Sequence, residues 1–80
     1  MAILNITYNG QSADCPIELD GAVSDVDVRR IAVELVRSGG VAGLHLAQLR
    51  DDAFNHYVVD RFDSPGGLRI YLRPKVPFGA

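Results

Sequence analysis

This sequence has little of several residue types on which common functional sites depend. It contains one cysteine and no tryptophan in 80 residues. A single cysteine excludes a disulfide within the chain and a zinc site built from several thiolates. Lysine is equally scarce, because seven of the eight basic residues are arginine and only Lys75 is a lysine. Without a disulfide or a thiolate zinc site, the fold must be stabilised by its apolar core alone.

An excess of one charge and a long hydrophobic run are also missing. The net charge is -2 at pH 7, so the chain lacks the excess of basic residues that is typical of nucleic-acid-binding proteins. No apolar run approaches the ~18 residues that cross a bilayer, and the opening MAILNITYNG has neither the basic segment nor the cleavage site of a secretory signal. We therefore expect a cytoplasmic protein that binds other proteins, and neither nucleic acid nor a membrane.

What is present indicates one globular domain that begins with a β-hairpin. The composition, 48% hydrophobic and 22% charged, is that of an ordinary water-soluble fold. Two alternating runs flank Asn9-Gly10, a pair typical of the type I′ turn of a hairpin. Pro16 cannot donate to a sheet ladder, so the second arm is predicted at the sheet edge with Pro16 facing outward. Cys15 alternates inward and is interpreted as a small buried hydrophobe.

A helix is predicted to follow the first hairpin. Ser24 is a candidate N-cap, and Gly39-Gly40 provides a left-handed C-cap. One apolar stripe has helical spacing and is expected to face the sheet; its members are Val28, Ile31, Ala32, Leu35 and Val36.

The rest of the chain contains a connector and a second hairpin. The connector, residues 41–56, fits a short helical turn or a short strand, and both alternatives remain open. After it, HYVVDRFD and LRIYLRP are rich in β-formers and are separated by the turn-forming SPGG. In the last strand Leu68, Ile70 and Leu72 are expected under the helix, with the intervening residues on the opposite face.

These elements predict an α+β fold in which one helix covers one face of a four-stranded mixed sheet. With the first and last strands parallel at the centre, the order is 2-1-4-3, which is the β-grasp arrangement (ββαββ). Residues 1–73 form the predicted domain and residues 74–80 an extended tail.

The order of elements, together with the closing LRIYLRPKVPFGA, resembles the ubiquitin-like proteins, in a divergent bacterial or phage-borne form. The resemblance implies that Tyr71 belongs to a partner-binding patch and that Arg73 is the tail arginine read by activating enzymes. The chain departs from the family at its end, where Phe78-Gly79 and then Ala80 replace a terminal glycine pair.

The outward face of the last strand is the predicted protein-binding site. It carries Arg69, Tyr71 and Arg73, and Val59 is expected to join them across the hairpin. An exposed aromatic residue flanked by arginines has the composition of an interface hot spot. The alternative is that these side chains only cover the open face of a small sheet.

The resemblance also implies a second function, as a modifier or sulfur carrier. Gly79 would then be activated at its carboxylate once Ala80 had been removed. Lys75, as the only lysine, would be the sole side-chain acceptor for chains of such a modifier, which favours single attachment. The alternative is that VPFGA is a terminus without chemistry.

No catalytic or cofactor-binding constellation is visible. His45 and His56 lack the spacing of a metal motif, and Asp51-Asp52 is interpreted as a turn cap. We therefore expect a non-catalytic protein with no metal and no cofactor. A third hypothesis, beside the binding module and the modifier, is a structural subunit of a phage or mobile-element assembly, docked through KVPF.

Overall fold

The computed structural model describes residues 2–20 and 22–75, and within them the predicted ββαββ order is confirmed. The elements are β1 Ala2–Tyr8, β2 Gln11–Ile17, α1 Asp25–Ser38, β3 Tyr57–Ser64 and β4 Gly67–Pro74.

The four strands form one mixed sheet in the order β2-β1-β4-β3, as predicted. β1 and β4 run parallel at the centre, and each pairs antiparallel with an outer strand. Pro16 lies exposed on the outer strand β2, where its missing N–H costs no ladder bond. This is an α+β fold with β-grasp topology.

Both hairpins turn at the positions that the sequence predicts. Asn9 and Gly10 have φ angles of 50° and 78°, the left-handed values that a type I′ turn requires. In the second hairpin Ser64 pairs with Gly67, so Pro65 and Gly66 form the loop. That closing pair fixes which β3 residues share a face with which β4 residues.

Local signals set both ends of α1. The Ser24 side chain accepts a hydrogen bond from the Asp27 N–H at 3.1 Å, and Gly39 ends the helix with φ 84°. Both predicted caps are confirmed.

The buried side of the helix is rotated relative to the predicted stripe. Val28, Ala32 and Val36 are buried as expected, whereas Val33, outside that stripe, is buried and Ile31 is only half-buried. Val33 lies on the flank of α1 that faces the connector, where it borders a groove together with Asp51, Asn55 and His56.

The connector, residues 41–56, forms neither the helix nor the strand that the sequence left open. It is a succession of tight turns, in which the N–H groups of Leu44 and Leu49 donate to carbonyls three residues earlier, at 3.1 Å each. Its apolar side chains nevertheless enter the core; those that are buried are Val41, Leu44, Leu49 and Phe54.

The core lies between α1, the connector and the inner face of the sheet. From the central strands it takes Leu4, Ile6, Ile70 and Leu72, all fully buried. Cys15 is buried beside them, as predicted, with its Sγ 3.4 Å from the Gly40 carbonyl oxygen.

Arg61 fastens the outer strand β3 to the segment that leads into the helix. Its Nη2 donates to the Val23 carbonyl at 2.6 Å, and its Nη1 lies 2.5 Å from Asp25 Oδ1. Its Nε is buried and has no hydrogen-bond partner among the described residues. These contacts connect residues far apart in sequence, so they hold the helix start against the sheet edge.

Replacing Arg61 with methionine is expected to lower the free energy of unfolding by about 1–3 kcal/mol, because the Val23 carbonyl loses its donor. The matched control is Arg50→Met, since Arg50 pairs with Asp52 at the surface with 83% of its side chain exposed, and such pairs contribute about 0–1 kcal/mol. Urea unfolding of both variants measures this. Equal midpoint urea concentrations for the two variants would show that the Arg61 contacts do not stabilise the fold.

Candidate functional site

The sheet surface opposite α1, called here the open face, is the candidate site. Side chains alternate along each strand, and those that do not enter the core project onto this face. From β3 and β4 they are Val58, Asp60, Phe62, Arg69, Tyr71 and Arg73; from β1 and β2 they are Ile3, Asn5, Thr7, Ser12, Asp14 and Pro16.

An aromatic pair occupies the β3–β4 half of the open face. The rings of Phe62 and Tyr71 meet edge to face, with centroids 5.7 Å apart and planes at 71°. This is a favoured geometry for aromatic pairs. Phe62 is 53% exposed although it is a large apolar residue. The pair therefore offers a rigid apolar surface to the solvent.

Charged side chains border the aromatic pair. The Arg73 guanidinium forms an ion pair with Asp60, which lies opposite Tyr71 in the register. Arg69 lies opposite Phe62. Two arginines thus flank the rings, and one of them is held in place by a carboxylate.

The β1–β2 half of the open face is polar except for the Ile3–Pro16 pair at one end. Asn5 Nδ2 donates to Asp14 Oδ1 at 2.7 Å, and Ser12 Oγ donates to Asn5 Oδ1 at 3.1 Å. These side chains satisfy one another across the two strands. The large apolar side chains that are exposed on the open face, Val58 and Phe62, both lie on β3.

The structure places Arg69, Tyr71 and Arg73 together on the open face, whereas the position predicted for Val59 is wrong. Val59 lies opposite Leu72 and packs against the core on the helix side. The cause is the register, since the Ser64–Gly67 closing pair puts odd-numbered β3 residues on the same side as even-numbered β4 residues.

The sequence interpretation missed the β3 residues of this face, of which Phe62 is the most exposed; the others are Val58 and Asp60. The signal was present in SPGG, because a loop of Pro65-Gly66 pairs position 62 with position 69. Counting back from that turn would have placed Phe62 beside Arg69 and sent Val59 inward.

Of the three predicted conjugation residues, the structure describes only Lys75. Gly79 and Ala80 lie outside the described residues. Lys75 is described and is exposed just after β4 ends at Pro74.

The remaining chemically suggestive residues lie apart from the open face. Asp51 Oδ1 lies 2.9 Å from Arg37 Nη1, and the hydrogen bonds that Arg37 donates to Glu34 and to Asp51 raise the pKa of the guanidinium. The same guanidinium donates to the Leu49 carbonyl at 3.2 Å, which ties the connector to α1. Asp52 pairs with Arg50 on the surface.

Within residues 2–20 and 22–75, no three histidine, cysteine or acidic side chains lie close enough together to hold a metal ion. In the same part of the chain, no helix has the length and apolarity needed to cross a membrane. No family model matches the sequence, and no curated protein and no solved structure is significantly similar to it.

Proposed function

We propose that this chain is a small, non-catalytic protein-binding module of the ubiquitin-like type, which works in the cytoplasm and binds partner proteins through its open face. One observation carries the proposal: the exposed edge-to-face pair of Phe62 and Tyr71, bordered by Arg69 and Arg73. Tyrosine and arginine are among the residues that dominate binding energy at interfaces.

The rigidity of this surface favours binding over simple coverage of the sheet. The aromatic pair stands on two paired strands, and the Arg73 side chain is already held by Asp60. Side chains that are ordered before binding lose little entropy on association. A phenylalanine that serves only the fold gains most by burial, yet Phe62 remains half exposed.

The ubiquitin-like assignment is supported by the β-grasp topology and by the resemblance of the closing strand and tail. Fold alone does not assign a function, so the binding role depends on the chemistry of the open face. The modifier hypothesis becomes an alternative outcome of the same experiment.

Capture of partners from cells that naturally make the protein tests the proposal. The bait is the full chain, compared with the double variant Phe62→Ser, Tyr71→Ser and with Val26→Ser. Val26 is a suitable control because it is 67% exposed on α1, away from the open face.

We expect the wild type and Val26→Ser to retain the same partner and the double variant to lose it. Retention of that partner by the double variant would contradict the proposal. A partner that stays attached after denaturation, and is lost when Gly79 is deleted, would identify a covalent modifier instead.

A further inference from the structure

The outer edge of β3 presents backbone groups that no other strand of the sheet satisfies. The Tyr57 carbonyl faces this edge, where it accepts hydrogen bonds from Arg29 Nε at 3.1 Å and Nη2 at 3.0 Å. Backbone groups alternate in direction along an antiparallel strand, so those of Val59, Arg61 and Asp63 face the same way. Among the described residues, no turn or loop backbone bond engages these three.

The two edges of the sheet differ in how they are protected. On β2, Pro16 interrupts the edge, a common device against pairing with another chain. β3 contains neither proline nor lysine over its length, Tyr57–Ser64. The β3 edge thus lacks the proline that interrupts the β2 edge.

Exposed apolar side chains lie symmetrically along this edge. Val58 and Phe62 are 38% and 53% exposed, and both lie on the open-face side of β3. They stand two residues before and two residues after Asp60. If a second copy of this strand paired antiparallel with it, with Asp60 at the centre, Val58 of each copy would lie opposite Phe62 of the other copy.

We propose that two copies of this chain associate through their β3 edges, antiparallel, with Asp60 opposite Asp60 of the second copy. In this register Val59 exchanges backbone hydrogen bonds with Arg61 of the second copy, using groups that no turn or loop backbone bond of residues 2–20 and 22–75 engages. Val58 packs beside Phe62 of the second copy, and the two-fold symmetry generates this contact two times in the dimer. The four-stranded sheet thereby continues from one copy into the next.

The charges at the centre are compatible with this register. Two facing aspartates would repel each other, but each Asp60 is neutralised by Arg73 of its own chain. The neighbouring register, centred on Arg61, would set Phe62 opposite Asp60 and lose both apolar contacts. Of these two registers, the one centred on Asp60 therefore buries more apolar surface.

The interface is the edge of a single strand, so it is small. Interfaces below ~1,200 Å² are typical of weak and transient association. We therefore expect a dimer that forms as the concentration rises. This contact shares Phe62 with the partner-binding site on the open face, whereas Tyr71 belongs to the partner-binding site alone.

A single introduced cysteine tests the register directly. Asp60→Cys would place two thiols opposite each other in a pair without hydrogen bonds, where Cα atoms are about 4.5 Å apart, within the ~4.4–6.8 Å that a disulfide spans. With oxidised glutathione as the oxidant, we expect a covalent dimer from Asp60→Cys. The controls Val58→Cys and Asp14→Cys should remain largely monomeric, as should the wild type, whose Cys15 is buried. Equal cross-linking of all three variants, or none with Asp60→Cys, would overturn the register.

Light scattering over a wide concentration range tests the association itself. We expect the wild type to move from the 8.7 kDa monomer towards twice that mass. Val58→Lys should raise the protein concentration at which half of the chains are dimeric by at least about tenfold (about 1.4 kcal/mol). Ser12→Lys, on the other outer strand, should leave that concentration unchanged. A wild type that stays monomeric throughout would overturn the proposal. Tyr71→Ser separates the two surfaces, because it should impair partner capture and leave the dimer intact.

Discussion

Replacing Phe54 with alanine is expected to destabilise the protein by about 3–5 kcal/mol, the usual cost of truncating a buried phenylalanine. Phe54 is fully buried and is the largest such side chain. Its ring contacts those of Tyr8 and Tyr57 edge to face, with centroids 5.9 Å and 4.8 Å away. The loss would remove both aromatic contacts as well as the buried area.

The expected loss is large against the stability of so small a domain. At ~0.05–0.15 kcal/mol per residue, a chain of 80 residues has a free energy of unfolding of about 4–12 kcal/mol. The melting temperature should therefore fall by more than about 12 °C, and Phe54→Leu provides a milder variant if the alanine variant does not fold.

Phe62→Ala is the matched control, because it makes the same chemical change at a side chain that is 53% exposed. We expect its stability to stay within about 1 kcal/mol of the wild type. Calorimetry of the two variants would contradict the account if both melted at the same temperature, since the connector would then contribute nothing to the core.

The same Phe62→Ala variant should lose affinity for a captured partner by about 10–100-fold. Truncating a hot-spot aromatic costs more than ~1 kcal/mol and often ~2 or more, and each 1.4 kcal/mol corresponds to about tenfold in the dissociation constant. Phe62 is suited to this role because its ring is exposed while its position is fixed against Tyr71.

Val26→Ala serves as the control for affinity, since Val26 is the more exposed of the two side chains but lies on α1. Titration calorimetry with the purified partner measures both variants. If Val26→Ala weakened binding more than Phe62→Ala, the partner would bind the helix side of the molecule.

The sequence predicts those parts of the fold that local chemistry determines. Asn9-Gly10 indicates the first hairpin because few other pairs accept two left-handed φ angles. Ser24 and Gly39 indicate the ends of α1 because each supplies a bond or a conformation that a helix end needs. The sheet order then follows from burying the resulting apolar faces.

The connector could not be predicted in the same way. Its turns are stabilised by contacts with distant residues, such as the Leu46 N–H that donates to the Val36 carbonyl at 3.1 Å. Nor does periodicity indicate that Val33 borders a groove with Asp51, Asn55 and His56, or that Arg61 reaches Val23. Such contacts depend on the tertiary fold.

The candidate site was predicted in part for the same reason. Strand alternation alone places Arg69, Tyr71 and Arg73 on one face. Which β3 residues join them depends on the register of the second hairpin. Strand alternation does not supply that register, so Val59 was predicted on the face where Phe62 lies. In a two-stranded pairing, a shift by one residue moves every side chain to the opposite face.

Amide NMR of the labelled protein, titrated with a captured partner, tests the central claim most directly. We expect the largest shift changes on the β3–β4 half of the open face, around Phe62, Arg69 and Tyr71, with α1 nearly unchanged. Changes confined to α1 and the connector, with that half of the sheet unaffected, would contradict the claim that the open face is the binding surface.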